Sequence, residues 1–198
     1  MFTGIVTHVG LFRGYRRGKA ELALEASGLE GRAGPGDSLA VDGVCLTAVR
    51  RENRLFLFNL SRETLERSTL GALRPGDELN LELPLTLASS LGGHLVSGHV
   101  DFRAKLLRSV ARRPGRRLEF SLPREFRPFL VPKGSVAVNG VSLTVAGLHP
   151  ASFEVELIPV TLDKSNLRLL KTGSEANVEC DMIGKYVYNF TTARKKED

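Results

Sequence analysis

Two short segments of the chain carry different reactive atoms at matched positions. Asp42-Gly-Val-Cys-Leu-Thr47 and Asn139-Gly-Val-Ser-Leu-Thr144 differ in chemistry chiefly at Cys45 and Ser142. A thiol is a better nucleophile and a weaker base than a hydroxyl, so two similar sites could share binding and differ in role. A single cysteine on an apolar strand is just as often a small buried hydrophobic residue, and the segment by itself leaves both interpretations open.

His99 is the second candidate for chemistry, and it stands in Gly98-His-Val-Asp101. An imidazole can transfer protons near neutral pH. The claims of His8, His94 and His149 are weaker, and we expect His94 only to help position a connection. The two cysteines of the chain, Cys45 and Cys180, lie neither in a paired motif nor beside histidines at metal-ligand spacing. We therefore expect neither a disulfide framework nor a zinc site.

These residues stand within an internal repeat. Residues 38–82 align with residues 135–179 without a gap at an offset of 97, with 18 identities in 45 positions. Gly4-Ile-Val6 similarly matches Gly98-His-Val100 at an offset of 94, so that His99 stands where the first repeat has Ile5. The chain is therefore a duplication. Its predicted divisions are residues 1–94, residues 95–183 and a tail at residues 184–198.

Each repeat reads as a series of short strands rich in Val, Leu, Phe and Thr and separated by turn residues. The Asp42-Gly and Asn139-Gly pairs favour tight hairpin turns. About six strands at this spacing indicate a closed barrel rather than an open sheet. The strands predicted in the first repeat cover residues 2–12, 20–26, 37–42, 44–50, 54–59 and 77–83, and one short helix is predicted in each repeat, at residues 63–70 and 160–167.

The tail has a different pattern. Met182, Ile183, Tyr186, Val187 and Phe190 recur at steps of three and four, which predicts an amphipathic helix over residues 182–194. A helix of this length is marginal in water, so its apolar face must pack against something. We favour self-association of the chain, with packing on its own barrel as the alternative.

Composition narrows the classes of function. The 198 residues include 42% hydrophobic residues and no apolar run of membrane-spanning length. The N-terminus does not resemble a signal peptide, so we expect a cytoplasmic protein and no membrane partner. The net charge of +6 comes mostly from basic runs at residues 13–19, 112–117 and 194–196. The first two resemble solvated hairpin tips with few aromatic residues, and we expect no nucleic-acid partner.

The ordered motifs resemble those of the riboflavin synthase family. The motifs are Met1-Phe-Thr-Gly-Ile-Val6, the two segments around Cys45 and Ser142, Gly92-Gly-His-Leu-Val-Ser-Gly-His-Val-Asp101 and Leu157-Ile-Pro-Val-Thr-Leu162. The resemblance covers essentially the whole chain. It implies an all-β fold of two tandem, similar, six-stranded antiparallel Greek-key barrels, each binding one lumazine, plus a C-terminal α-helix.

The resemblance also implies an activity and an assembly. Two molecules of 6,7-dimethyl-8-ribityllumazine would give riboflavin and 5-amino-6-(D-ribitylamino)uracil by four-carbon transfer, with no cofactor and no metal. Three subunits would gather through the helix, with active sites between the first barrel of one subunit and the second barrel of a neighbour. Lumazine synthase is a candidate partner. A non-catalytic lumazine or flavin carrier of the same fold is the alternative.

The resemblance further implies which residues form the sites. The catalytic candidates are Cys45, His99, Ser142 and Asp181, with Asp181 expected to orient His99 or a neighbouring hydroxyl. The first pocket is expected to use Gly4, Ile5, Val6, Ser38, Cys45, Leu46, Thr47, Asn59, Leu60, Ser61, Arg62, Glu63 and Thr64. The second pocket is expected to use Gly98, His99, Val100, Asp101, Lys133, Ser142, Leu143, Thr144, Ile158, Pro159, Val160, Thr161, Leu162 and Asp163.

Three residues depart from the family pattern. Asp42 stands where the first repeat more often has Asn, and Phe102 stands where Gly is common. Asp42 suits a turn as well as Asn does. Val160 stands where a glutamate often precedes the threonine. This last departure puts ribityl contacts in the second pocket in doubt.

Overall fold

Short segments of high strand propensity form two closed barrels in a computed structural model, which describes residues 1–194. The first barrel contains β1 (His8–Arg16), β2 (Glu21–Glu25), β3 (Ser38–Val41), β4 (Val44–Glu52), β5 (Leu55–Asn59) and β6 (Glu78–Glu82). The second contains β7 (Phe102–Arg112), β8 (Gly115–Ser121), β9 (Ser135–Val138), β10 (Val141–Leu148), β11 (Ser152–Leu157) and β12 (Glu175–Cys180).

The two barrels have the same strand order. It runs β1-β2-β5-β4-β3-β6 in the first barrel and β7-β8-β11-β10-β9-β12 in the second, with every pairing antiparallel. Closure removes the free strand edges that an open sheet would expose. The sequence prediction of tandem six-stranded antiparallel barrels is thus confirmed.

Each barrel encloses its own hydrophobic core. Phe12, Phe56 and Phe58 are fully buried in the first, and Phe120 and Phe153 stack on each other in the second with 5.6 Å between ring centroids. Burying such a side chain contributes about 1.5–3 kcal/mol. Phe102, one of the departures from the family pattern, starts β7 and stacks on Phe126 at 4.7 Å. Its ring therefore belongs to the second core.

The hairpin turns at Asp42-Gly43 and Asn139-Gly140 meet where the barrels join. Asp42 and Asn139 have φ of 46° and 45°, as the predicted turn type requires. A Cβ placed on Gly43 would lie 2.7 Å from the backbone nitrogen of Gly140, and the reverse distance is the same. Both glycines are therefore required by close backbone approach as well as by positive φ.

Reciprocal hydrogen bonds surround these turns. Asn177 Nδ2 donates to the Asp42 carbonyl at 2.9 Å, and Asn80 Nδ2 donates to the Asn139 carbonyl at 2.9 Å. Asp42 Oδ1 accepts from the Asn80 N–H at 2.7 Å and from Asn166 Nδ2 at 2.8 Å. These residues are nearly inaccessible to solvent. The junction is therefore a buried polar network with approximate two-fold symmetry.

The first strand differs from its prediction. It begins at His8 rather than at residue 2 and continues to Arg16. Gly4 has a φ of 75°, which interrupts an extended strand, and Phe2 instead forms a bridge with Val96. Phe2, Ala40, Val96 and Ala137 pack together as a small cluster. The chain start therefore contributes to the contact between the barrels.

The two predicted helices also differ from their predictions. Each is divided into a short α-helix and a 3-10 turn: α1 (Arg62–Arg67) precedes Thr69–Gly71, and α2 (Pro159–Lys164) precedes Asn166–Leu169. Ser68 and Ser165 stand at the divisions in extended conformation, and their hydroxyls donate to the carbonyls of Thr64 and Thr161. These serines end the α-helices because they satisfy the last carbonyls locally.

The predicted C-terminal helix is present as α3 (Met182–Arg194). Tyr188 packs edge-on against Phe129 of the second barrel with ring centroids 5.2 Å apart. On the other side Ile183, Tyr186, Val187 and Phe190 are 56–70% exposed. Residues 195–198 of the predicted basic tail lie outside the described residues. Within residues 1–194, no helix is long and apolar enough to cross a membrane.

Candidate functional site

Two segments run between the barrels, and each precedes the first strand of its own barrel. We call residues 3–7 the first crossing segment and residues 97–101 the second crossing segment. Glu82, at the end of β6, accepts from the N–H of Thr3 at 2.6 Å and from the N–H of Gly4 at 2.9 Å. Glu179 of β12 accepts in the same way from Ser97 at 2.7 Å and from Gly98 at 2.9 Å. A buried glutamate therefore attaches each segment to its own barrel.

The second crossing segment also contacts the first barrel, directly at Cys45. The Cys45 N–H donates to the Gly98 carbonyl at 2.8 Å. A Cβ on Gly98 would lie 2.5 Å from the Cys45 Cβ, and Gly98 has a φ of 84°. Only glycine fits this position, because both the backbone conformation and the contact exclude a side chain.

This contact forms the wall of a first-barrel cavity of about 260 Å³. Cys45 lies on β4, and His99 and Val100 come from the second crossing segment. Ser61 caps α1 by accepting from the Thr64 N–H at 3.0 Å. The cavity thus combines a half-buried thiol, an imidazole and the polar start of a helix, and its lining residues are Val44, Cys45, Ser61, Glu63, Thr64, Arg67, Ser68, Gly98, His99 and Val100.

The second barrel repeats this construction with the first crossing segment. The Ser142 N–H donates to the Gly4 carbonyl at 2.8 Å, and a Cβ on Gly4 would lie 2.6 Å from the Ser142 Cβ. Here the hydroxyl has a close partner: Nδ1 of His94 lies 2.7 Å from Ser142 Oγ. Gly93 leaves room for this pair, because a Cβ there would lie 2.9 Å from the same oxygen.

His94 has the properties of a neutral proton acceptor. Desolvation lowers the pKa of His94 below its usual value, and the negative charge of Asp181 acts in the opposite direction. Among the side chains that the structure describes, those of residues 1–192, Nε2 of His94 is the one buried polar atom without a hydrogen-bond partner. Buried polar atoms are rarely left unpaired, so this nitrogen is a candidate for contact with a bound molecule. A neutral imidazole can take a proton from the Ser142 hydroxyl.

The two sites differ in polarity around the same framework. Where the first site has His99, Ser61 and Glu63, the second has Ile5, Ile158 and Val160. These three apolar side chains are 45%, 57% and 50% exposed. The rim of the second site is therefore apolar, whereas the rim of the first carries ionisable groups.

The structure corrects the expected grouping of site residues. Residues 4–6 lie against the second barrel at Ser142, and residues 98–100 lie against the first barrel at Cys45. The expected pockets assigned each segment to its own repeat, but the crossing segments exchange places. Asp181 accepts from the Ile183 N–H at 3.0 Å, and its negative charge acts to raise the pKa of His94, which lies 2.7 Å from the Ser142 hydroxyl. Its expected role in orienting His99 or a neighbouring hydroxyl stays a prediction.

Several predicted residues have side chains directed away from the sites. Leu46, Leu60 and Leu143 are buried in the barrel cores, so only their backbone is available to a ligand. Asp101 uses its carboxylate within the protein, where Oδ2 accepts from the Cys180 N–H at 2.7 Å. The Lys133 side chain, by contrast, is exposed, on a turn before β9 where the backbone has a φ of 66°.

The remaining predicted residues lie on strands or helices of the two barrels. Ser38 and Thr47 are paired across β3 and β4, and Thr144 is exposed on β10. Asn59 ends β5, Arg62 and Glu63 start α1, and Pro159, Thr161, Leu162 and Asp163 lie on α2. Residues 1–194 contain no cluster of three or more His, Cys, Asp or Glu side chains suited to hold a metal ion.

Two features of the sites were not predicted from the sequence. The partnership of His94 with Ser142 joins residues 48 apart, which no local spacing indicates. Glu82 and Glu179 are equivalent in the repeat, and their identity within the aligned motif was the available signal. Their structural role is to accept the backbone N–H groups of the crossing segments, which the sequence alone does not indicate.

Such an arrangement defines a duplicated double-barrel protein with two equivalent candidate sites in one chain. The lumazine binding domain family matches residues 3–84 and again residues 97–181. The chain belongs to the lumazine-binding family that includes the riboflavin synthases. It is 42% identical to the riboflavin synthase of Mycobacterium tuberculosis over 196 residues, which cover 94% of this chain and 96% of that protein. The riboflavin synthase of Bacillus amyloliquefaciens is 38% identical and covers 96% and 89%, respectively.

Solved structures agree on the fold. The crystal structure of LumP complexed with 6,7-dimethyl-8-(1'-D-ribityl) lumazine has a TM-score of 0.80 and 21% identity. That comparison covers 90% of this chain and 98% of LumP. LumP complexed with riboflavin gives a TM-score of 0.82, also at 21% identity, over 91% of this chain and 99% of LumP. At this identity the likeness concerns the double-barrel architecture.

Proposed function

We propose that this protein is a riboflavin synthase. It converts two molecules of 6,7-dimethyl-8-ribityllumazine into riboflavin and 5-amino-6-(D-ribitylamino)uracil by moving a four-carbon unit from one to the other. The observation that carries this proposal is the 42% identity, over nearly the whole length of both chains, to a protein named riboflavin synthase. The two products together contain all the atoms of the two substrates, so the reaction needs no cofactor that supplies atoms or electrons.

Duplication suits a reaction between two copies of one substrate. Two similar pockets that face each other can hold both rings in reacting geometry, which is worth about 7–11 kcal/mol for well-oriented partners. The difference between a polar and an apolar rim, at His99 and Ile5 respectively, supports unequal roles for the two bound molecules. The two repeat units are residues 1–94 and 95–183, and each site combines the barrel of one unit with the crossing segment of the other.

We assign the acid-base and nucleophilic groups from their surroundings. In the first site, His99 receives the proton lost from the methyl group at ring position 7, and the thiol of Cys45 takes part in ring addition or proton movement. In the second site, the Ser142 oxygen adds to an electron-poor ring carbon, the displaced electron pair moves onto a ring nitrogen, and His94 takes the hydroxyl proton; the 2.7 Å separation of the two side chains supports this role. Asp181 stabilises the charge that then forms on His94.

We propose a homotrimer gathered through α3, with each active site between the first barrel of one subunit and the second barrel of its neighbour. The exposed Ile183, Tyr186, Val187 and Phe190 support an intermolecular contact there. The apolar rim of the second site supports a covered location for that pocket. A cytoplasmic location and an association with lumazine synthase are proposed from the family resemblance.

Incubation of the purified protein with 6,7-dimethyl-8-ribityllumazine and no other reagent tests the activity. We expect one riboflavin to form for every two lumazines consumed, followed by absorbance and confirmed by mass spectrometry. A carrier would retain bound fluorescent lumazine and form no riboflavin. That outcome would replace the enzyme proposal with the carrier.

A further inference from the structure

Lys185 lies on the first turn of α3 and forms an ion pair to which the proposed reaction assigns no role. Its Nζ lies 2.7 Å from Oδ2 of Asp101. The side chains of Lys185 and Asp101 are only 30% and 16% exposed. A pair shielded in this way is screened by solvent less than an exposed surface pair, so removal of one partner has a larger effect.

Asp101 ends the second crossing segment and attaches it to the second barrel. Its Oδ2 also accepts from the Cys180 N–H at 2.7 Å, and its own N–H donates to the Val178 carbonyl at 2.9 Å. The same carboxylate oxygen therefore contacts both β12 and α3. Lys185 consequently ties the helix to the end of the crossing segment.

His99 lies between the two attachments of this segment. On its N-terminal side, Glu179 holds Ser97 and Gly98, and the Gly98 carbonyl accepts from Cys45. On its C-terminal side the attachment is Asp101. A displacement of about 1 Å is enough to slow a reaction that depends on positioned groups. Asp101, the partner of Lys185, is therefore only two residues from His99, whose position matters for the proposed reaction.

The first crossing segment provides an internal comparison. Thr7 occupies the position equivalent to Asp101, and its N–H and Oγ1 both donate to the Leu81 carbonyl, at 3.0 and 3.4 Å. After β6 the chain continues into the connection between the repeats, whereas after β12 it forms α3. In the part of the chain that the structure describes, the second crossing segment, which carries His99, is thus linked to α3 through Asp101, whereas Thr7 of the first crossing segment bonds to β6.

We propose that Lys185 is a positioning residue: acting through Asp101, it holds the second crossing segment so that His99 lies beside Cys45, and it couples the seating of α3 to the first-barrel site. This inference rests on the proposed function for its effect on the reaction. Its structural part, the holding of the segment, is independent of the substrate.

Hydrogen exchange tests the structural part without any ligand. Lys185→Met removes the charge and keeps an unbranched side chain, and Lys185→Arg keeps the charge. We expect amide exchange in residues 97–101, measured by mass spectrometry, to be at least fivefold faster in Lys185→Met and close to the parent in Lys185→Arg. Residues 3–7 should exchange at the parent rate in both variants. Equal exchange in residues 97–101 of all three proteins, or equal acceleration in both segments, would overturn the proposal.

Kinetics test the effect on the reaction. We expect Lys185→Met to lower kcat at least fivefold, with KM within twofold and the sedimentation mass unchanged, and Lys185→Arg to restore kcat. Arg103→Met is the matched control, because it breaks an exposed ion pair of the same barrel, Arg103 to Glu175 at 3.3 Å. A parent-like kcat in Lys185→Met, or the same loss in Arg103→Met, contradicts the positioning role. If the parent forms no riboflavin, the proposed function fails, and hydrogen exchange still decides whether Lys185 holds the segment.

Discussion

The two sites use different atoms at one position of the same motif, Cys45 in the first and Ser142 in the second. Both residues donate a backbone N–H to the glycine of a crossing segment, at 2.8 Å in each case. Backbone geometry is therefore matched, and the chemical difference is confined to the side chains and their partners. Ser142 has His94 at hydrogen-bond distance, whereas Cys45 shares its cavity with His99.

Replacing Cys45 by serine makes the first motif resemble the second and tests whether the sulfur atom matters. We expect Cys45→Ser to reduce turnover at least tenfold, a barrier increase of about 1.4 kcal/mol, with little change in lumazine affinity. The reason is that a hydroxyl preserves size and hydrogen bonding and lacks the nucleophilicity of a thiol. Steady-state kinetics and a fluorescence titration measure the two quantities.

Ser142→Ala is the companion variant. We expect it to weaken binding and turnover together, because the hydroxyl is assigned both to contact with the ring and to proton transfer. For the Cys45→Ser variant described above, turnover within about twofold of the parent would contradict a chemical role and leave Cys45 as a residue that only lines the pocket.

At this scale the sequence distinguished Cys45 and Ser142 as candidates for chemistry and gave no signal of the side chains around them. Cys45 and Ser142 were recognisable because the repeat aligns them. The contact of His94 with Ser142 was not predicted because it depends on burial and joins distant parts of the chain. The exchange of crossing segments was hidden for the same reason, since a duplicated sequence contains no signal that assigns a segment to its own barrel or to the other.

Among the elements, α3 has an outer face whose role can be tested without disturbing Lys185. We expect Phe190→Glu to convert the proposed trimer into monomers or a weaker assembly, because it places a charge within an apolar contact. Analytical ultracentrifugation measures the mass. Asn189→Glu is the control, because it adds the same charge at the adjacent exposed position outside the apolar stripe. Equal masses for Phe190→Glu and the parent would remove this helix from the assembly.

Most elements were predictable because local pattern and final structure agree. The Asp42-Gly43 turn, the strands on either side of it and α3 all follow from periodicity and turn chemistry. The first strand was misjudged because the apolar residues before His8 resemble a strand although they pack between the barrels. The divided helices depend on Ser68 and Ser165, whose capping contacts are not apparent from propensity.

At the scale of the whole molecule, the junction between the barrels contains an ionisable group in a symmetric setting. Asn139 Oδ1 accepts from the Asn177 N–H at 2.8 Å, as Asp42 Oδ1 does from Asn80. Burial raises the pKa of Asp42 from 3.8 to about 7, and the charge of Asp77 acts in the same direction. From the sequence, Asp42 was expected to suit the turn as well as the more usual Asn does. Its burial at the junction adds an effect on stability that the sequence did not indicate.

That effect is a dependence of stability on pH. In the unfolded chain this carboxyl ionises near pH 4, whereas in the folded protein it ionises near pH 7, so stability falls as the pH rises between these values. We expect Asp42→Asn to be more stable than the parent at pH 8, by at most about 4 kcal/mol, and to show little difference at pH 4. An amide oxygen can keep both hydrogen bonds that Asp42 accepts.

Urea unfolding of the parent and the variant at pH 4, 6 and 8 measures this difference. Glu66→Gln, on the exposed surface of α1, is the control for loss of a carboxylate; its effect on stability should be small, because it breaks only an exposed ion pair with Arg62. If Asp42→Asn and the parent keep the same difference at every pH, then Asp42 does not titrate across this range.

The exchanged crossing segments have an evolutionary consequence. A single repeat existing as a separate polypeptide would have no residues from another repeat at the site next to its cysteine or serine. It could complete that site only in a pair, with each copy lending its first residues to the other. Joining two copies end to end made this exchange intramolecular, and the two repeats no longer had to have the same sequence. His99 and Ile5, or Cys45 and Ser142, could then diverge, which a symmetric pair of identical chains could never allow.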